Sequence, residues 1–223
     1  MGDLIVLADR LADRRAARSG PASFRPAFFF DLACPFSYLA AERIERFIGE
    51  AEWVPVAGAS VPAGASLPSG SRSLRTPQLI QRAELRAAEL RLPLVWPDYR
   101  PGGTPSALRA TAYASEVGAG APFALAASRL AFCGGFDLED PEVLAEAAAA
   151  AGIPLEDCLA AARDTSWDDA LQATGHGLVS RGITELPAFR VDRRFVQGER
   201  ALAEAAAMLR SRAAEGRPLA RVG

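Results

Sequence analysis

The chain has 223 residues, of which 50% are hydrophobic and 23% charged, which is enough to bury a sizeable core and excludes intrinsic disorder or a disulfide-stapled miniprotein. A formal charge of −2 leaves no cationic excess to neutralise a phosphate backbone, so the expected partners are small molecules or proteins, with no nucleic acid. All 25 basic residues are arginine, which excludes lysine Schiff-base chemistry. No apolar run reaches the roughly 18 residues of a spanning helix, and the acidic, then arginine-rich start does not read as a secretory signal, so a cytoplasmic protein without a membrane role is expected. Three cysteines, Cys34, Cys133 and Cys158, cannot all pair within the chain, and their spacing fits no zinc site, so no metal is expected.

Residues 1–18 place Leu4, Ile5, Leu7, Ala8, Leu11 and Ala12 at helical spacing, predicting a peripheral amphipathic helix that packs on the domain or on a second copy in a homodimer. Ala27–Leu32 is a short apolar, aromatic run that fits a buried strand. After the Ala33-Cys34-Pro35 turn, Phe36, Leu39, Ala40, Ile44, Phe47 and Ile48 recur with a period near 3.6, predicting one helix from Pro35 to Gly49. A strand over 52–56 completes a parallel crossover unit. Residues 57–73, nearly all small or Pro, read as a loop.

Helices are then predicted near 77–92, 105–117, 122–133, 141–151 and 155–163, with Thr76, Thr104 and Asp140 as N-caps, each before a Pro. Ser166 and Asp169 resemble a capping box for a helix reaching about Arg181. Two strands, 186–191 and 194–197, turn at Asp192-Arg193, and a last helix runs from Glu199 to about Ala214. The expected architecture is α/β: residues 26–73 and 166–216 form one domain, 74–165 an inserted all-helical unit, and 1–25 the N-terminal helix and linker.

The tetrad Cys34-Pro35-Phe36-Ser37 joins a strand end to a helix start, where orphan N–H groups and the helix dipole favour a thiolate. The expected consequence is a nucleophile with a pKa below about 8.5, alkylated faster than Cys133 and Cys158. The Ser37 hydroxyl, one turn on, can hydrogen-bond the sulfur anion but cannot close a disulfide, so thiol exchange here is monothiol. Leu186-Pro187 starts a strand where proline is admitted only as a first residue, at an edge, or in a cis peptide.

The segments Phe28–Ala40, Gly182–Phe189 and Gln197–Arg200, with the helical insertion between them, resemble the DsbA-like branch of the thioredoxin fold, nearest the 2-hydroxychromene-2-carboxylate isomerases and kappa-class glutathione transferases. The resemblance spans about residues 26–214. It implies a thioredoxin-like fold with a helical insertion, and a cis-Pro187 facing Cys34 so that Leu186 offers its backbone to a thiol substrate, with Pro35 and Phe36 beside it. It also implies that Gly198 and Glu199 hold the γ-glutamyl end of glutathione, although an acidic residue in a first helical turn equally complements the dipole. The isomerase and transferase pattern is Ser-Pro-(Tyr or Phe)-Ser and the oxidoreductase pattern Cys-Pro-x-Cys; this tetrad takes its first residue from the latter and its last from the former.

Other candidates carry two readings each. Asp31 is either a buried proton acceptor for the thiol or a partner of nearby backbone. His176 is a general base or an exposed helix residue, Cys133 a resolving thiol or a helix-end residue, and Cys158 a core residue. Trp96-Pro97-Asp98-Tyr99-Arg100 lines an aromatic pocket or packs between units. The expected function is thiol–disulfide exchange at a monothiol site with glutathione or another low-molecular-weight thiol. The alternatives are a glutathione-dependent isomerase or transferase on an aromatic or hydrophobic small molecule, and a thiol-binding module without activity.

Overall fold

The computed structural model describes residues 25–61, 77–97 and 103–215. The N-terminal helix, the Thr76 cap and most of the 57–73 loop lie outside them. Four strands, β1 (Ala27–Phe30), β2 (Glu52–Pro55), β3 (Ala188–Val191) and β4 (Arg194–Gln197), form a sheet in the order β2-β1-β3-β4. The β1–β2 pair is parallel, as the crossover reading requires, with Phe28 opposite Trp53. β3 lies antiparallel to β1 and to β4, and Asp192 closes the hairpin at φ +57°.

All four residues of β1 are buried, because the sheet is covered on both faces. On one face Phe28 stacks on Phe30 and Phe189 at 5.1 and 4.9 Å and meets Trp53 edge-on at 5.0 Å. Phe29 points the other way, to Phe195 at 6.0 Å. Each such ring pair adds about 0.5–1.5 kcal/mol beyond its area burial, which fixes the register of the central strands.

The helix predicted from Pro35 to Gly49 is two pieces, α1 (Pro35–Ala41) and α2 (Ile44–Phe47). The chain tightens at their junction, where Arg43 N–H reaches Ala40 O and Arg43 leaves helical geometry at φ −124°. Arg129 grips the intervening Glu42 with two short bonds of 2.6 and 2.8 Å, so a tertiary contact sits where periodicity alone expects a continuous helix. Gly49 ends the second piece at φ +79°, a conformation a side chain would strain.

Between β2 and β3 come α3 (Pro77–Leu90), α4 (Pro105–Glu116), α5 (Gly120–Phe132), α6 (Pro141–Ala151), α7 (Leu155–Arg163) and α8 (Trp167–Val179); α9 (Ala201–Glu215) follows β4. Asp140 caps α6 as expected, accepting from Glu142 N–H at 2.9 Å, and Gly152 closes that helix at φ +68°. Thr104 and Ser166 do not cap with their side chains. Glu139 takes the place of Thr104: its carboxylate accepts from the N–H groups of Ser106 and Ala107 at 3.0 and 3.4 Å and from the Ser106 hydroxyl at 2.8 Å. The Thr104 hydroxyl is left buried without a hydrogen-bond partner among the described residues.

α8 runs unbroken through Gly175-His176-Gly177, and Gly175 lies where the helix passes close to Ser60; a Cβ there would stand 2.5 Å from the serine Cβ. Arg109 of α4 ties to Asp168 of α8 by two bonds of 2.7 Å. α5 packs on α1, and α4 on β2, so one continuous hydrophobic cluster runs from the sheet into the helices.

Candidate functional site

Cys34 is the N-cap residue of α1, extended at φ −95°, ψ 115°, with Pro35 preset for the first helical position. That geometry aims the N–H groups of Phe36 and Ser37 and the Ser37 hydroxyl at the sulfur, and all three favour the anion. The Ser37 oxygen also accepts from Asp31 N–H at 3.4 Å, leaving its hydrogen for the thiol. Across the gap, the Cys34 thiol donates to the Leu186 carbonyl at 3.6 Å, and the Leu186–Pro187 peptide is cis.

The expectation of a lowered thiol pKa fails. Cys34 is 0% exposed, and burial pushes its pKa up to about 12 despite the Ser37 and backbone hydrogen bonds. The Asp31 carboxylate adds to the rise. Desolvation of a small anion exceeds what a one-turn cap returns, and the facing Leu186 carbonyl is an acceptor suited to S–H rather than to S⁻. The resting group is therefore a neutral thiol.

While the Cys34 thiol is bonded to the Leu186 carbonyl, Asp31 is a partner of nearby backbone. Its Oδ1 accepts from Ala33 N–H at 2.8 Å, yet burial raises its pKa from 3.8 to about 6, with the Ala33 and Gly58 backbone N–H groups opposing the rise. It is thus a carboxyl that exchanges a proton near neutrality and interacts electrostatically with Cys34.

The Pro187 loop is pinned from β4. Gln197 Oε1 accepts from Thr184 and Glu185 N–H at 2.7 and 3.1 Å, and Gly198 N–H donates to Pro187 O at 2.8 Å. Gly198 holds φ +80°, and a Cβ there would stand 2.4 Å from Glu185 Oε2. Glu199 does not stand open to an ammonium group: its carboxylate pairs with Arg82 at 3.3 Å and Arg86 at 3.7 Å, both on α3. Arg82 in turn lies over the Phe36 ring, 5.4 Å from its centroid. Pro35, Phe36, Leu186, Pro187, Gly198 and Glu199 thus gather around Cys34 and Ser37. Sequence reasoning did not find Gln197 as a loop clamp or Arg82 and Arg86 as neighbours of Glu199. Their spacing of four on one helix face was visible, but nothing local links that face to a residue more than a hundred positions away.

The weaker candidates separate from the site. Cys133 is exposed, and its sulfur lies 3.2 Å from the Tyr38 hydroxyl, which donates to Pro93 O at 2.9 Å, so the thiol is the donor to Tyr38. Cys158 is buried with Sγ 3.8 Å from Leu144 O, as a core residue. His176 is exposed on α8. Trp96 donates to Glu84 at 3.0 Å on the outer side of α3, and Asp98–Arg100 lie outside the described residues. Among the described residues no group of three or more His, Cys, Asp or Glu is placed to hold a metal, and no helix is long and apolar enough to cross a membrane.

Comparison with known proteins agrees with this geometry. The family model of the DSBA-like thioredoxin domain matches residues 27–210. Among solved structures, a 2-hydroxychromene-2-carboxylate isomerase superposes with a TM-score of 0.69 at 18% identity, covering 86% of this chain and 99% of that one. The cytosolic disulfide reductase DsbM from Pseudomonas aeruginosa, solved with GSH, superposes with a TM-score of 0.57 at 20% identity, covering 85% and 99%. No curated protein sequence matches. At such identities the superpositions speak for the fold alone, and the family match carries the assignment: with a thioredoxin-type sheet, a helical block between β2 and β3, and a Cys-Pro-Phe-Ser turn facing Pro187, this chain belongs to the DsbA-like thioredoxin-domain family.

Proposed function

We propose that the chain is a monothiol thiol–disulfide oxidoreductase that works through Cys34 on low-molecular-weight disulfides or mixed disulfides, those of glutathione included. The observation that carries the reading is the Cys34 sulfur at the start of α1, 3.6 Å from the Leu186 carbonyl, with Ser37 where a second thiol would otherwise stand. A substrate disulfide entering this gap takes the place of the carbonyl beside the sulfur. Cys34 gives its proton to Asp31, its sulfur bonds to one sulfur of the substrate, and the substrate S–S bond breaks with its electron pair leaving on the other sulfur as a thiolate. Because Ser37 cannot resolve the mixed disulfide, a second small thiol attacks it and returns Cys34 to the thiol. The fold neighbour solved with GSH supports glutathione in that role. In this reading the substrate is a small molecule and the enzyme works in the cytoplasm.

One observation favours a second reading. Burial keeps Cys34 a neutral thiol, which with the Ser37 hydroxyl makes two donors for the sulfur of a bound glutathione, as a glutathione-dependent isomerase or transferase acting on an aromatic or hydrophobic small molecule requires. Intact mass after incubation with oxidised glutathione separates the two. The background is Cys133→Ser, because Cys133 is exposed and would take up glutathione itself. The first reading expects one adduct, mapped to Cys34 and lost in Cys34→Ser. An unmodified Cys34, with glutathione-dependent turnover of an aromatic substrate surviving in Cys34→Ser, would overturn it in favour of the second.

A further inference from the structure

Beside the Cys34 turn lies a row of guanidinium groups that the thiol chemistry does not use. Arg82 stands 5.4 Å over the Phe36 ring, while Arg43 and Arg46 stand 4.6 and 5.7 Å from the centre of the Phe47 ring. Arg86, one turn beyond Arg82 on α3, is close enough to Arg43 to oppose its charge. The α3 segment 82–86 therefore runs alongside the α1–α2 segment 36–43. From Arg82 to Arg86 the row leads away from the site by about 6 Å, the rise of four helical residues.

The row is not balanced. Glu199 is shared between Arg82 and Arg86, and Glu89 takes Arg86 at 2.6 Å. Of the two other acids on this stretch, Glu42 is committed to Arg129, and Glu45 makes no ion pair with these arginines among the described residues. Arg43 and Arg46 have no carboxylate partner among the described residues, and the half-buried Arg43 is crowded by Arg86 and Arg46. Aromatic rings hold the guanidinium planes of Arg82 and Arg43 in place, which removes part of the ordering cost that weakens most surface ion pairs. The near end of the row meets the reacting centre, since Glu199 follows Gly198, whose N–H binds Pro187 O.

We propose that this row is the subsite for an anionic arm of the substrate: a disulfide or thiol whose carboxylate extends from the sulfur at Cys34 past Arg82 to Arg86 and Arg43. The inference rests on the exchange reading of Cys34 for where the substrate sulfur sits. On binding, the carboxylate takes N–H donors that now face one another in repulsion.

The test compares the disulfide of mercaptobutanoate with the neutral disulfide of mercaptobutanol on full-length protein carrying Cys133→Ser, reading adduct formation at Cys34 by mass spectrometry. Each rate is divided by that of free mercaptoethanol with the same disulfide, which removes intrinsic reactivity. The expected preference for the anion is about tenfold at low salt, falling toward one in 0.5 M salt, about where screening becomes short-ranged. It should drop severalfold in Arg43→Gln, which loses no ion pair on substitution, and in Arg86→Gln, while Arg86→Lys keeps part of it. Calorimetric binding of sebacate, the sulfur-free dicarboxylate of the same length, is measured on the same proteins and should weaken in parallel. No anion preference, or one that survives both glutamine substitutions with sebacate binding unchanged, overturns the subsite even when Cys34 forms adducts readily. Arginine-dependent sebacate binding with no adduct on Cys34 from either disulfide instead overturns the exchange reading and leaves the anion subsite standing.

Discussion

Asp31→Asn isolates the energetic cost of the buried acid. Asp31 is 4% exposed, and its pKa is raised from 3.8 to about 6 by burial. A carboxyl whose folded-state pKa is raised binds its proton more tightly in the native state, so its contribution to stability is fully present below 3.8 and is lost as pH rises through about 6. At about 1.4 kcal/mol per tenfold change in proton affinity, the ionised carboxylate costs the native state about 3 kcal/mol at pH 7 and above. Asparagine keeps the oxygen that accepts from Ala33 N–H and carries no charge to desolvate. Relative to the variant, the wild type should therefore lose about 2.4 kcal/mol between pH 4 and pH 7, with the rest of the effect lying below pH 4. Urea unfolding followed by tryptophan fluorescence at half-unit pH steps measures this, because Trp53 packs on Phe28 and Phe30 in the core. Parallel pH profiles for the two proteins, within about 0.5 kcal/mol, would refute the burial argument. In the same variant, adduct formation at Cys34 should slow, since the proposed proton acceptor is gone.

Iodoacetamide at neutral pH should label Cys133 first and leave Cys34 and Cys158 largely unmodified, because Cys133 alone of the three is exposed; rapid labelling of Cys34 in peptide maps would contradict the neutral, buried thiol. Gly198→Ala should destabilise by about 1–2 kcal/mol from its left-handed backbone alone, with a further loss from the clash with Glu185, and denaturant titration of Gly198→Ala with and without Glu185→Ala separates the two parts. Arg109→Ala should cost about 1.5–3 kcal/mol through the lost paired bonds to Asp168. Because Arg109 holds the Asp168 carboxyl below its ordinary pKa, that contribution is present above the usual carboxylate range and fades as pH falls through the lowered value; a cost that stays constant down to pH 2 would point to packing instead. Phe123→Ala, at a fully buried ring in α5, should lower stability by about 3–5 kcal/mol in the same titration.

The local grammar of the chain was legible without a structure. A short, all-apolar aromatic run fits a covered strand better than a helix, so β1 and its parallel neighbour followed from Ala27–Phe30 and the spacing to Glu52. Proline at a first helical position and glycine past the last are backbone constraints, and they located the starts of α1, α3, α4 and α6 and the end of α2 within a residue or two. The placement of Cys34 opposite Pro187 came from motif resemblance, and the sheet order then put the two strand ends side by side.

Tertiary structure decided everything that depends on how much water surrounds a group or on which distant charge reaches it. The helix start at Cys34 argues for a thiolate, but the sulfur has no solvent, and desolvation outweighs the cap. The break between α1 and α2 coincides with the grip of Arg129 on Glu42, the cap of α4 comes from Glu139 instead of Thr104, and Gly175 is spent on a close approach to Ser60; in each case the partner lies dozens of residues away. Glu199 is the sharpest instance: the sequence places it at the start of the last helix, but α9 begins at Ala201, and Arg82 and Arg86 from another helix pair with its carboxylate and exchange an ammonium-binding expectation for a basic row beside the thiol. Backbone preferences act over a few residues and can be read in order, whereas solvation and Coulomb interactions depend on positions in space that only the folded chain supplies.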